Sequence, residues 1–139
     1  MNFQIKPIGY IESPFKKLSD IPKQSIYGKD KRAVINILDE YVLGIRDIKE
    51  GAYIILLFYF NKSKGYKLLQ VPRDSNDFKG VFSTRSPFRP NSIGMSIVKV
   101  ISIKNKNLIE IEGVDMLNKT PVIDIKPYIP ELNPKDEEL

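Results

Sequence analysis

The sequence predicts a mainly β protein: a single small domain over residues 1–139, with antiparallel strands, long loops and little helix. The length of 139 residues suits one domain with a core large enough to fold unaided. The apolar residues fall into several short β-favouring stretches separated by polar segments. Many short strands with little helix favour a small antiparallel barrel or a sandwich.

The elements before residue 52 follow from local pattern and from turn residues. Four are predicted: a strand over residues 3–11, an irregular loop over 14–31, a strand over 32–38 and a short helix over 39–48. Apolar residues at helical spacing predict the helix, with Asp39 as its N-cap and Gly51 as its end. Gly44 weakens the helical pattern.

The strongest strand is Ala52–Phe60, which is apolar on both faces and is therefore predicted to be central. Further elements follow: a polar loop over 61–77 around a short extended piece at 68–71, strands over 95–103, 108–114 and 122–125, a turn at 105–107 and a charged tail from 131. No two glycines form a Gly-x-Gly, so the fingerprint of a dinucleotide-binding α/β fold is absent.

Composition narrows the chemistry that the chain can perform. With no cysteine and no histidine, thiolate catalysis and the commonest zinc ligands are excluded, and no metal site is expected. A bound cofactor that brings its own reactivity suits such a chain. The net charge of +5 favours a polyanionic partner. The longest apolar run is too short to span a bilayer and the N-terminus lacks signal-peptide features, so we expect no membrane and a cytoplasmic location.

The most informative stretch is Gly80–Gly94, which holds two arginines, two prolines and four hydroxyl side chains. Pro87 and Pro90 fix their own φ angles and bias the preceding residues toward extended geometry. The loop should therefore be stiff and present Arg85 and Arg89 from a fixed backbone. Arginine offers a planar fork of donors suited to carboxylates and phosphates, so the pattern indicates a ligand cradle.

The sequence of this loop also resembles that of a known family. Thr84–Gly94 looks like the signature of the TsaA-like (TrmO) family of tRNA methyltransferases. Three further stretches resemble the family's other motifs in the same order: Ile8–Phe15, Asp115–Val122 and Asp124–Pro130. The resemblance spans about residues 5–130. It implies a compact β-barrel, a homodimer, S-adenosyl-L-methionine as cofactor and tRNA as substrate, with N-methylation of threonylcarbamoyladenosine beside the anticodon.

The resemblance also implies which residues bind the cofactor. Arg85 and Arg89 are candidates for its carboxylate, and Met95 for an apolar contact. The other matched positions are Gln24, Asn61, Lys62, Asn118, Lys119, Thr120 and Pro121. Many relatives carry His at the position of Asn61 and Asp-Gly at that of Asn118-Lys119. Asn61 cannot titrate, and Lys119 adds bulk where glycine allows close backbone approach.

Methyl transfer requires alignment of the reactants and sometimes a proton acceptor. Asp115 and Asp124 are the carboxylates within the two C-terminal motifs, although turn capping for Asp115 and an ion pair with Lys126 for Asp124 are alternatives. Tyr128 could stack on a base, line the pocket or simply pack.

For RNA, the N-terminal loop combines aromatic and cationic residues in Phe15-Lys16-Lys17 and in residues 27–32, so it is a candidate contact surface. Two other functions stay open: a methyltransferase acting on a small molecule, and a non-catalytic module that binds the cofactor or RNA.

Overall fold

The computed structural model describes residues 1–20 and 31–136, and the predicted class, mainly β with little helix, is confirmed. The strands are β1 (Gly9–Glu12), β2 (Arg32–Ile37), β3 (Tyr53–Tyr59), β4 (Leu69–Gln70), β5 (Lys79–Gly80), β6 (Ile93–Lys104), β7 (Leu108–Glu112) and β8 (Pro121–Pro127). Short 3-10 helices lie at Leu18–Asp20, Asp39–Ile45, Val81–Ser83 and Pro130–Leu132.

Six strands pair in one antiparallel sheet that closes on itself. The order is β1-β2-β7-β6-β3-β8, and β8 pairs back with β1 through Gly9↔Val122 and Tyr10↔Pro121. A closed order is the topology of a small barrel and leaves none of the six strands without a partner on either side. The two shortest strands, β4 and β5, form a separate two-stranded sheet.

The core lies inside the closed sheet, and every second side chain along a strand points into it. In β3 the side chains of Ile54, Leu56 and Phe58 are buried, and β2 and β7 alternate in the same way. Gly9 is required where β1 meets β2, because a Cβ atom there would lie 2.4 Å from the backbone oxygen of Asn36.

Two expectations from the sequence need correction. The first strand covers Gly9–Glu12 and not residues 3–11, because the paired register with β2 begins at Gly9. The preceding Ile8 still bonds through its backbone to Val122 and Leu38. The segment after β2 is a 3-10 helix, Asp39–Ile45, whose N-cap is Leu38 and not Asp39. A segment of 7 residues repays little of the cost of nucleating an α-helix, and Gly44 adds to that cost.

Strand β3 was predicted to be central because it is apolar on both faces, and it pairs with β6 on one side and with β8 on the other. Its inner face is buried, but on the outer face Tyr53 and Tyr59 are 52% and 45% exposed, and Ile55 and Leu57 are half-buried. In this single chain the strand is central within the sheet, and its outer face remains partly open.

Candidate functional site

One rim of the closed sheet gathers most of the candidate residues. Strand register defines this rim: Tyr59 at the end of β3 pairs with Ile93 at the start of β6, and Phe58 pairs with Val122 near the start of β8. We call this end of the sheet the loop rim. Three connections leave from it: residues 13–31, 60–92 and 113–120.

The loop rim brings together residues that are far apart in the sequence. Asn61 and Lys62 follow β3 and are exposed, and Arg85, also exposed, lies in the connection that returns to β6. Asp115 and Asn118–Thr120 lie in the connection from β7 to β8, and Pro121 is the first residue of β8. Gln24 lies outside the described residues. Nearly all of the predicted cofactor residues therefore occupy one end of the molecule.

The arginine-proline loop is held together by its own side chains. Arg89 is half-buried, and its Nη1 donates to the carbonyls of Thr84 at 2.9 Å and Ser86 at 3.1 Å. Thr84 Oγ1 donates to the Val81 carbonyl at 2.8 Å, and Ser92 Oγ donates to the Pro87 carbonyl at 2.8 Å. These bonds fix the path of the loop, so Arg89 has a structural task, and Arg85 is the more exposed of the two arginines.

The loop before β8 is tied to the end of β1. Asn118 accepts a hydrogen bond from the Ser13 backbone N–H at its Oδ1 at 3.0 Å, and its own N–H donates to the Phe15 carbonyl at 2.8 Å. The buried Thr120 donates its hydroxyl to the Leu117 carbonyl at 2.7 Å. The Asn118 side chain thus joins two motifs, and the Thr120 hydroxyl closes the turn of its own loop. Lys119 is the exposed residue of this stretch.

Lys119 adopts φ +70°, in the left-handed region that favours glycine. Its N–H donates to the Ile11 carbonyl at 2.6 Å. The backbone therefore keeps a conformation that suits glycine, although this chain places a lysine there.

Asp115 is bound by a buried serine. Ser96, which is 4% exposed on the inner side of β6, donates its hydroxyl to Asp115 Oδ1 at 2.6 Å. The neighbouring side chains of Val114 and Met116 enter the core, so the carboxylate stands where this connection covers the end of the closed sheet. This contact favours an anchoring task for Asp115.

Asp124 and Met95 lie on the outer face of the sheet. Both pair in register with Leu57, Met95 from β6 and Asp124 from β8. The Asp124 carboxylate lies 2.9 Å from Lys126 Nζ, which is the ion pair anticipated as the alternative to a catalytic base.

Tyr128 is remote from the loop rim within one chain. Its N–H donates to the Tyr53 carbonyl, at the start of β3 and hence at the opposite end of the sheet. Tyr128 lies six positions beyond Val122 along an extended chain, a distance of about 20 Å.

Sequence reasoning missed two buried serines at the rim, Ser13 and Ser96. Ser13 donates its hydroxyl to the Met116 carbonyl at 2.8 Å and accepts the Phe15 N–H. A polar residue at an inward position of an apolar strand, as Ser96 is in β6, was the available signal. Phe15, a candidate for stacking on RNA, is 5% exposed and belongs to the core, so it is not available for stacking. Residues 27–30 of the other candidate segment lie outside the described residues.

Residues 1–20 and 31–136 contain neither a cluster of metal ligands nor a membrane-spanning helix. No group of three or more Asp or Glu side chains there could hold a metal ion. No helix in the same ranges is long and apolar enough to cross a membrane.

The fold defines a class: a small domain built on a closed six-stranded antiparallel sheet, with three connections that leave from one end. Comparison with known proteins gives the family, because residues 10–134 match the tRNA-methyltransferase O N-terminal domain. The chain belongs to this family.

Two relatives and one solved structure illustrate the match. An S-adenosyl-L-methionine-binding protein of Archaeoglobus fulgidus is 40% identical over 93% of this chain and 91% of its own length. A tRNA (adenine(37)-N6)-methyltransferase of Mus musculus is 38% identical over 92% of this chain, which spans 31% of that protein. A crystal structure of TrmO from Pseudomonas aeruginosa aligns with a TM-score of 0.80 at 30% identity, covering 99% of this chain and 60% of that one.

Proposed function

We propose that this protein is an S-adenosyl-L-methionine-dependent methyltransferase that acts on tRNA in the cytoplasm. The observation that supports the proposal most is the gathering of Asn61, Lys62, Arg85 and the loop Asn118–Pro121 at one rim. The solved relative is longer than this chain, which spans 60% of it, so the activity of the whole relative is here a proposal.

The donor set at the rim fits the cofactor. An exposed guanidinium on Arg85 suits its carboxylate, and the amide of Asn61 and the backbone beside Lys119 suit its ribose and adenine. Once bound, the cofactor supplies an activated methyl group. The task of the chain is then to orient the two reactants and to exclude water.

We further propose that the methylated group is the exocyclic nitrogen of threonylcarbamoyladenosine beside the anticodon. Any proton leaving that nitrogen needs an acceptor, and Asp115 and Asp124 are the candidates. Asp115 stands at the loop rim and Asp124 on the outer face of β8. The alternative of a small-molecule substrate has no specific observation in its favour.

The protein is also proposed to be a homodimer, on the basis of the outer face of β3 and β6. Side chains there are apolar and partly exposed: Ile55, Leu57, Tyr59, Ile93, Met95 and Ile97. A continuous apolar face of this kind is typical of an interface between subunits.

Transfer of a labelled methyl group to tRNA tests the activity. Wild-type protein should methylate threonylcarbamoylated tRNA and leave tRNA without that modification unchanged. Arg85→Ala should weaken cofactor binding in calorimetry by about 1.5–3 kcal/mol, the value of a hydrogen bond to a charged group. Arg73→Ala is the matched control, because Arg73 is an exposed arginine of the same connection outside the motif. Equal affinities of the two variants would remove Arg85 from the site.

Light scattering tests the dimer. Ile97→Lys should reduce the mass to that of a monomer, whereas Leu132→Lys, at a position 77% exposed away from the face, should not. A monomeric wild-type protein at micromolar concentration would contradict the proposal.

A further inference from the structure

The connection between β3 and β6 is unusual for its charge. Residues 61–92 contain seven basic and two acidic side chains, a net charge of +5 that equals the charge of the whole chain. Three of the basic residues, Lys64, Lys67 and Lys79, are exposed and lie outside the predicted cofactor set. Clustered positive charge on one exposed segment is the electrostatic footprint of a nucleic acid partner.

The same connection exposes aromatic rings. Four of them stand far out of the core: Tyr66 is 56% exposed, Phe78 71%, Phe82 76% and Phe88 50%. An ordinary surface does not leave three phenylalanine rings in water within eleven residues, since each loses the free energy that burial would give. Aromatic rings beside cations are what proteins use to stack unpaired bases.

Local hydrogen bonds hold these residues as one surface. Strands β4 and β5 pair through Leu69↔Gly80 and Gln70↔Lys79, and the Val81 N–H donates to the Leu68 carbonyl at 2.8 Å. The Gln70 side chain also donates to the Phe88 carbonyl, which joins the sheet to the arginine-proline loop. Phe78 and Phe82 therefore flank a fixed hairpin and do not lie on independent loops.

We propose that this hairpin surface, with Phe78 and Phe82 as stacking rings and Lys64, Lys67 and Lys79 as phosphate contacts, binds unpaired nucleotides of the RNA substrate. The inference rests on the proposed function for the identity of the RNA. It differs from the sequence-based expectation of an N-terminal surface. In that segment Phe15 is buried, and Arg32 lies 3.7 Å from Glu110 and 4.0 Å from Glu112, which offset its charge.

The first experiment measures the affinity of the full chain for an unmodified anticodon stem–loop RNA by fluorescence anisotropy. Phe78→Ala/Phe82→Ala should weaken binding about tenfold or more, because each stacked base contributes strongly to affinity. Phe3→Ala is the control, since Phe3 is 81% exposed and precedes β1, outside the connection between β3 and β6. Thermal unfolding and calorimetry with S-adenosyl-L-methionine should give wild-type values for all these variants.

The second experiment measures the salt dependence of the same binding. We expect the triple variant Lys64→Gln/Lys67→Gln/Lys79→Gln to have a shallower slope of log affinity against log salt. The slope should fall by about 2 in magnitude, because each phosphate contact to a single strand contributes about 0.7 to it. The control triple variant carries the same change at Lys6, Lys49 and Lys104, which are exposed and outside the connection. Its slope should equal that of the wild type.

The outcomes separate this inference from the proposed function. Equal losses in the hairpin variants and their controls would overturn the hairpin surface, whether or not methyl transfer to tRNA is observed. The inference would also fail if the aromatic variant kept full RNA affinity but lost self-association, because the rings would then belong to a contact between copies. Wild-type RNA binding that depends on the hairpin, without methyl transfer, would support the surface and refute the proposed activity.

Discussion

The hydrogen bond between Ser96 and Asp115 should be worth a measurable part of the stability. Ser96→Ala removes the hydroxyl that donates to Asp115 Oδ1 at 2.6 Å, at a position where the serine is 4% exposed. A hydrogen bond to a charged acceptor contributes about 1.5–3 kcal/mol, and the half-buried carboxylate recovers part of this from water. We expect Ser96→Ala to lower the free energy of unfolding by about 1–2 kcal/mol.

Urea denaturation followed by circular dichroism measures this change, with an unaltered m-value as evidence that the unfolding remains two-state. Ser102→Ala in the same strand is the control. Its hydroxyl lies 3.4 Å from Glu110 Oε1, a weak bond between half-buried groups, so the loss should stay below about 0.5 kcal/mol. Equal stabilities of the two variants would refute the view that the serine anchors Asp115.

Two further predictions concern backbone positions. Gly9→Ala should destabilise the protein by about 1–3 kcal/mol, because its Cβ would meet the Asn36 backbone oxygen at 2.4 Å. Gly44→Ala, with nothing within 4 Å of the added Cβ, should be neutral or stabilising in the same denaturation assay. The reverse order of stabilities would contradict the register of β1 and β2. Lys119→Gly should raise the free energy of unfolding by about 1 kcal/mol, because glycine adopts a φ of +70° without strain. The control Lys104→Gly, in an extended strand, should lower the free energy of unfolding. A loss of stability in both variants would show that Lys119 makes a favourable contact that outweighs the strain.

The strands were accessible to sequence reasoning because their signals are local. Period-two patterns and turn residues place β2, β3, β6 and β7 within one to two residues of their observed ends. The N-terminal strand was overextended, since the alternation of residues 3–8 says nothing about whether a partner strand is present. Closure of the sheet through β1 and β8 joins residues more than 110 positions apart, which no local pattern encodes.

The candidate site was accessible in part. Proline and arginine spacing predicted a stiff loop before β6, but the pattern could not show that Arg89 is half-buried and binds the loop's own carbonyls. The same limit applies to Asn118, whose side chain holds Ser13 in place. Residue type predicts which bonds a side chain can make, and only the tertiary structure decides which partner it meets.

The closed sheet and the connection of residues 60–92 have different roles, and this difference explains why that connection carries many of the residues proposed for cofactor and RNA binding. Tyr59 and Ile93 are direct partners on neighbouring strands, so the connection of residues 60–92 begins and ends about 5 Å apart on a rigid frame. The entropy of closing such a connection grows only slowly with its length, and residues can therefore change there with little effect on the core. Changes at Phe78 and Phe82 should alter RNA binding, and a change at Arg85 should alter cofactor binding, both at nearly constant stability. Changes at Gly9 or Ser96 should alter stability first. The closed sheet thus fixes the position of the connection, and the side chains that the connection exposes determine what it binds.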